Sequence, residues 1–85
     1  MRSLSFTEKA HDQFNEWEFI DKKIRTKIIQ LLHETVETPF TGTGKPEVLK
    51  HNLKGYWSRR INKEHRLVYQ VTNSSIVVIS CKFHY

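Results

Sequence analysis

Cysteine is almost absent from this 85-residue chain, where Cys81 stands alone. One thiol cannot close an intrachain disulfide, and it excludes structural zinc sites built from several thiolates; a reducing, cytoplasmic setting is therefore expected. Glycine and proline are sparse too, three and two residues, and all five lie between Pro39 and Gly55. Long hydrophobic runs are missing. The longest aliphatic stretch, Ile76 to Ile79, is far too short to span a bilayer, and Met1 to Asp12 alternates without the apolar stretch of a secretory signal, so neither membrane insertion nor export is expected. Shortness excludes a second folding unit, because a chain of this size hides only about 60–65% of its unfolded surface. A single domain over residues 1–85 follows, with no room for a separate cofactor module. Hydrophobic residues at 38% and aromatics at 12%, Trp17 and Trp57 among them, suffice for one core and argue against disorder.

Acidic residues are scarce in one half only. Residues 1–43 carry six bases against seven acids, a net −1, whereas residues 44–85 carry eight bases against Glu47 and Glu64, a net +6. The whole positive excess of the +5 chain thus sits in its second half. Such a half-cationic domain suits a polyanionic partner, nucleic acid or an acidic protein segment; simple solubility explains the same number equally well.

Hydrophobic periodicity changes twice along the chain. Leu4 and Phe6 alternate with Ser3 and Ser5 as a short strand. Thr7 reads as an N-cap, followed by Ala10, Phe14 and Trp17 on one helix face to about Ile20. Asp21 reads as the cap of a second helix whose apolar face is Ile24, Ile28, Leu31, Leu32 and Val36, with Lys22, Lys23, Lys27 and Glu34 toward water and Pro39 barring continuation. A basic loop spans Pro39 to Gly55. Beyond it the period is two over Tyr56–Ile61, Arg66–Val71 and Ile76–Phe83, separated by turns at Asn62–Glu64 and Thr72–Ser75. The expected fold is α+β, in the order β-α-α-β-β-β, a helical hairpin packed on a mainly antiparallel four-stranded sheet.

One helical hairpin covers one sheet face. Strand alternation puts Arg66, Val68 and Gln70 on one side of the third strand, and Ile76, Val78, Ser80, Lys82 and His84 on one side of the last. The face bearing Lys82 and His84 is expected to stay open, meeting an outward Arg66 beneath the basic loop that holds Glu47. These residue types suit RNA phosphodiester cleavage. Attack of a ribose 2′-OH on phosphorus needs a base, an acid for the departing 5′-oxygen, and cations for the phosphoryl oxygens, with no metal or cofactor required. A histidine, titrating near 6.5 when unperturbed, can be the acid; arginine offers a permanent forked charge. Glu47 can be the base, or equally a partner for Lys45 or Lys50. His84 and Tyr85 can equally be a frayed end, and Arg59 and Arg60 solvated edge charges. His11, His33, His51 and His65 show no metal-ligand spacing. Cys81, with Ile79 and Phe83 at alternate positions, reads as a core residue.

Thr38-Pro39-Phe40, Gly44-Lys45-Pro46-Glu47, Leu49-Lys50-His51-Asn52-Leu53, Gly55-Tyr56-Trp57-Ser58-Arg59-Arg60-Ile61, His65-Arg66-Leu67-Val68-Tyr69 and the closing His84-Tyr85 together resemble the YoeB/Txe family of toxins. Val48, Lys54 and Phe83 depart from the family pattern without removing a catalytic candidate. The resemblance implies a RelE-like, microbial-RNase-like fold and a metal-independent endoribonuclease that cuts mRNA in the ribosomal A site. It further implies inhibition by a cognate YefM-like antitoxin, contact with the 70S ribosome and mRNA, and a possible homodimer. On the matching positions, Glu47 would be the general base, Arg66 would stabilise the transition state, His84 would protonate the leaving oxygen and Tyr85 would orient the substrate. Lys50 and Arg60 would hold phosphate, with Glu64 in support; beyond the resemblance, the cationic side chains of Lys54, Arg59 and Lys82 are further expected phosphate ligands.

Overall fold

A computed structural model describes residues 2–49 and 55–83. The elements are β1 (Ser3–Phe6), α1 (Glu8–Ile20), α2 (Lys22–Glu37), β2 (Glu47–Val48), β3 (Tyr56–Arg60), β4 (Arg66–Val71) and β5 (Ser75–Ser80). Thr7 caps α1 as its hydroxyl accepts the Ala10 N–H at 3.2 Å. Asp21 serves both helices. Its N–H closes α1 on the Trp17 carbonyl at 3.0 Å, while its carboxylate accepts the Lys23 N–H at 3.0 Å to open α2. No separate linker is needed, and the hairpin turns on one residue. At the far end the Thr38 N–H bonds the Glu34 carbonyl at 2.8 Å, and Pro39 stops the helix there.

Strand order in the sheet is β1-β5-β4-β3-β2. The last four strands form an antiparallel meander, and β1 adds parallel to β5 with Leu4 opposite Ile76. The sheet has five strands rather than the expected four, because two residues of the basic loop, Glu47 and Val48, pair with Ser58 and Trp57. Both helices pack on one face. Ala10, Trp17, Ile28, Leu31 and Leu32 meet Leu67, Tyr69, Ile76, Val78 and Cys81 there, each of them at most 5% exposed. The Trp17 indole N–H, buried in this layer, donates to the Cys81 carbonyl at 3.0 Å.

The last strand departs from simple alternation. Tyr69 pairs with Val78 but Val68 pairs with Ser80, leaving Ile79 as an extra residue at a bulge. An extra residue reverses the side-chain parity. Ile76 and Val78, expected on the open face, are therefore fully buried in the core, and Cys81 joins them. Regular pairing ends at Ser80, short of the expected Phe83.

Candidate functional site

The sheet face without helices follows from the register. Glu47, Ser58 and Val68 are successive cross-strand partners and form one row across β2, β3 and β4, while Ser80, the partner of Val68 on β5, turns its hydroxyl to Gln13 of α1 at 3.2 Å. Two residues further along β3, on the same face, Arg60 pairs with Arg66. Strand spacing and rise put the Glu47 Cα about 8 Å from that of Arg60 and about 12 Å from that of Arg66. A glutamate and an arginine side chain can bridge that gap with a phosphate between them. Beside the row an open depression of about 350 Å³ is lined, among the described residues, by Arg60, Asn62, Lys63 and Arg66, three cations and no carboxylate. An arginine pair held at this spacing by the backbone repels itself and favours an anion.

The β3–β4 turn shapes this depression. The Asn62 side-chain oxygen accepts the N–H groups of Glu64 (2.8 Å) and His65 (2.7 Å), a local clasp that tightens the reversal. Arg66 donates from its guanidinium to the Asn62 carbonyl at 3.4 Å, and its backbone N–H donates to the Phe83 carbonyl at 3.0 Å. Phe83, the residue before His84, is thereby tied to Arg66. Glu64 is exposed, with its carboxylate 3.5 Å from His65 Nε2. Among the described residues Glu47 forms no ion pair, so the pairing with Lys45 considered above is not found. Lys50, Lys54, His84 and Tyr85 lie outside the described residues.

Two expected phosphate ligands are corrected by the structure. Arg59 is fully buried on the helix side of the sheet, since adjacent strand residues point to opposite faces and Arg60 takes the open one. All five of its N–H donors are occupied: Nε by the Tyr69 hydroxyl (3.1 Å), Nη1 by Glu34 (2.8 Å) and the Thr43 carbonyl (3.2 Å), Nη2 by the Thr38 and Thr41 carbonyls. Nothing is left for a ligand. Lys82 turns away as well, its ammonium 3.7 Å from Glu16 of α1 and 5.8 Å from the Trp17 ring centre.

Glu34, on the solvent side of α2 as expected and still partly exposed, is also the counter-charge of Arg59. Its carboxylate also accepts the N–H (2.7 Å) and hydroxyl (3.0 Å) of Thr43. The Thr43 N–H, then its hydroxyl, then Arg59 hold the Glu34 carboxyl below its ordinary 4.5. The Tyr69 hydroxyl, whose pKa burial pushes up, donates to the Pro39 carbonyl at 2.7 Å. Gly44 completes the clamp. At φ 86°, it carries the carbonyl that accepts the Arg60 N–H at 2.7 Å, and a Cβ there would lie 2.8 Å from the Arg60 carbonyl oxygen. Residues 38–44 are thus pinned to α2 and β3 immediately before Glu47. Sequence reasoning missed Glu34, Tyr69 and Lys63. A signal existed for the first, because two consecutive strand arginines require one to face inward and find an acid there.

Other features fall outside this face. An apolar groove of about 370 Å³ on the helix side, lined in part by Leu4, Phe6, Phe14 and Val36, brings none of the expected site residues together. Among the described residues no three His, Cys, Asp or Glu side chains converge as metal ligands, and no helix is long and apolar enough to cross a membrane.

The model of the YoeB-like toxins of bacterial type II toxin-antitoxin systems matches residues 6–85. Toxin YoeB of Escherichia coli K12 is 51% identical over 82 residues, covering 96% of this chain and 98% of that protein. A YoeB/ParE toxin from Agrobacterium tumefaciens superposes with a TM-score of 0.94 at 45% identity, covering 98% of this chain and 99% of the other. The Staphylococcus aureus toxin in a YoeB-YefM complex superposes at 0.88 with 43% identity, over 100% of this chain and 99% of that one. With a small α+β fold, a helix-free basic sheet face and this likeness over nearly its whole length, the chain belongs to the YoeB toxin family of type II toxin-antitoxin systems.

Proposed function

We propose that this toxin is a ribosome-dependent endoribonuclease that cleaves mRNA in the A site, in the cytoplasm, by metal-independent transesterification. The observation that carries the reading is the common open face of Glu47, Arg60 and Arg66 beside a depression that the described residues line with basic and amide side chains. In the reaction Glu47 takes the proton of the ribose 2′-OH as that oxygen bonds to phosphorus. The P–O5′ bond breaks, and His84 gives its proton to the leaving oxygen. Products are a 2′,3′-cyclic phosphate and a 5′-hydroxyl. Arg66 and Arg60 face the phosphoryl oxygens, where charge builds in the transition state. Lys63 joins them as a phosphate ligand, with Lys50 and Lys54 contributing charge to ribosome docking and Tyr85 orienting the substrate. A shallow depression suffices when the ribosome itself holds the mRNA.

The partner that silences the toxin is a YefM-like antitoxin; an acidic segment on that partner would suit the +6 half of the chain. Self-association as a homodimer is part of the same reading. The test is primer extension on mRNA bound to programmed ribosomes, followed by chemical analysis of the new ends. A-site cuts with 5′-hydroxyl ends are expected; 5′-phosphate ends, or no cut, would overturn the mechanism. Glu47→Gln, Arg66→Ala and His84→Gln should each slow cleavage by about 100-fold or more with ribosome binding retained. A module that only binds would tolerate all three.

A further inference from the structure

The segment after β5 is strapped to the body of the protein at consecutive points. The Cys81 N–H donates to the Gln13 side chain at 2.8 Å, and the Cys81 carbonyl accepts the Trp17 indole N–H at 3.0 Å. At Phe83 both backbone groups are taken. Its carbonyl accepts the Arg66 N–H at 3.0 Å, and its N–H donates to Nδ1 of His65 at 2.7 Å. His65 is only 5% exposed, wedged edge-on against Trp17 with ring centres 4.7 Å apart, and tilted against the Phe83 ring at 5.4 Å. Phe83 itself sits at φ 66°, a left-handed conformation unusual for an aromatic residue. A residue held there needs its neighbours to over-determine it.

A ring nitrogen that accepts a backbone N–H carries no proton. Neutral His65 is thereby fixed with its proton on Nε2, which lies 3.5 Å from the Glu64 carboxylate. The line Glu64–His65–Phe83 runs beside Arg66 and ends one residue before His84. We infer that His65 is a positioning residue: its unprotonated Nδ1 latches the Phe83 peptide in a left-handed turn beside Arg66, and so constrains the chain at the residue that precedes His84 in the sequence. This rests on the reading above that His84 is the general acid. Proton donors lose rate steeply when displaced by about 1 Å, so a latch one residue away acts on the chemical step rather than on docking.

Full-length wild type, His65→Phe and His65→Asn distinguish the possibilities. Phenylalanine keeps the ring packing on Trp17 and removes the acceptor; asparagine restores an acceptor oxygen near the place of Nδ1. In the wild type, nitrogen NMR shifts should show His65 protonated on Nε2, and the Phe83 amide should be protected from hydrogen exchange. His65→Phe should raise Phe83 exchange and lower the single-turnover cleavage rate on programmed ribosomes by about 10-fold or more, with half-saturation by ribosomes unchanged. His65→Asn should recover most of both. A proton on Nδ1 in the wild type, or Phe83 exchange unprotected there, overturns the latch even where variants fold poorly. Wild-type cleavage rates in a folded His65→Phe, or equal losses in Phe and Asn, overturn the positioning role. If the wild type protects Phe83 but cuts no RNA, the latch stands as structure, and both the nuclease reading and the role assigned to His65 fall.

Discussion

Replacing Arg59 by methionine should be among the most damaging single changes in this protein, although the residue lies on a strand next to the proposed site. Methionine fills most of the volume but offers none of the five donors that reach Tyr69, Glu34 and the carbonyls of Thr38, Thr41 and Thr43. At ~1.5–3 kcal/mol for each bond to a charged group, a full sum would exceed the stability of a small domain. It overstates the loss, because Thr38 and Thr41 are exposed and their carbonyls can turn to water. A net cost of about 3 kcal/mol is the expected scale for removing a buried arginine from a network whose carboxylate is partly exposed. For a domain of this size that lowers Tm by roughly 12–24 °C. Urea and thermal unfolding, followed through Trp17 and Trp57, measure it. Arg59→Lys should recover less than half, since one ammonium cannot serve acceptors on α2, β4 and the loop together. A loss below ~1 kcal/mol, or a lysine variant as stable as the wild type, would refute the clamp.

The remaining predictions concern pH and helix ends. The Glu34 carboxyl is depressed in the folded state, so the stability it lends is present above its ordinary 4.5 and fades as pH falls through the folded value. Urea midpoints between pH 5 and 3 should therefore fall less steeply in Glu34→Gln than in the wild type; parallel slopes would count against the pairing with Thr43 and Arg59. Burial pushes the Cys81 thiol up to about 12. Its contribution is full below the ordinary 9.0 and is lost as pH rises from there toward 12. At pH 8 a thiol reagent should label Cys81 only on unfolding, and rapid stoichiometric labelling of the native protein would contradict its burial. Thr7→Ala removes the α1 cap and a hydroxyl donor to the Ile79 carbonyl at 3.3 Å, and should cost about 1 kcal/mol in equilibrium unfolding, most of it restored by Thr7→Ser.

Much of the fold was legible because its signals are local. Thr7 and Asp21 cap where cap chemistry predicts, α1 ends at Ile20, and β4 spans Arg66–Val71. These depend on neighbours within one helical turn or one strand. Errors arose where the decisive partner is remote. Ile79 looks like any strand residue, and only pairing against β4 makes it a bulge that sends Ile76 and Val78 inward. Lys82 looked like an open-face cation until α1 supplied Glu16 and Trp17. Likewise the two-residue β2 carries no periodicity of its own and exists through its pairing with β3.

The sequence by itself determined the family, the α+β order of elements other than β2, and the concentration of positive charge after residue 43, because motifs, short-range periodicity and net charge are properties of the chain as a string. Tertiary structure alone decided which arginine of the Arg59-Arg60 pair meets solvent and which is buried against Glu34, and which row of the sheet Glu47 joins. Two arginines with consecutive numbers are chemically identical on paper. The pleat turns them to opposite faces, and only the packed helices determine which face is inside.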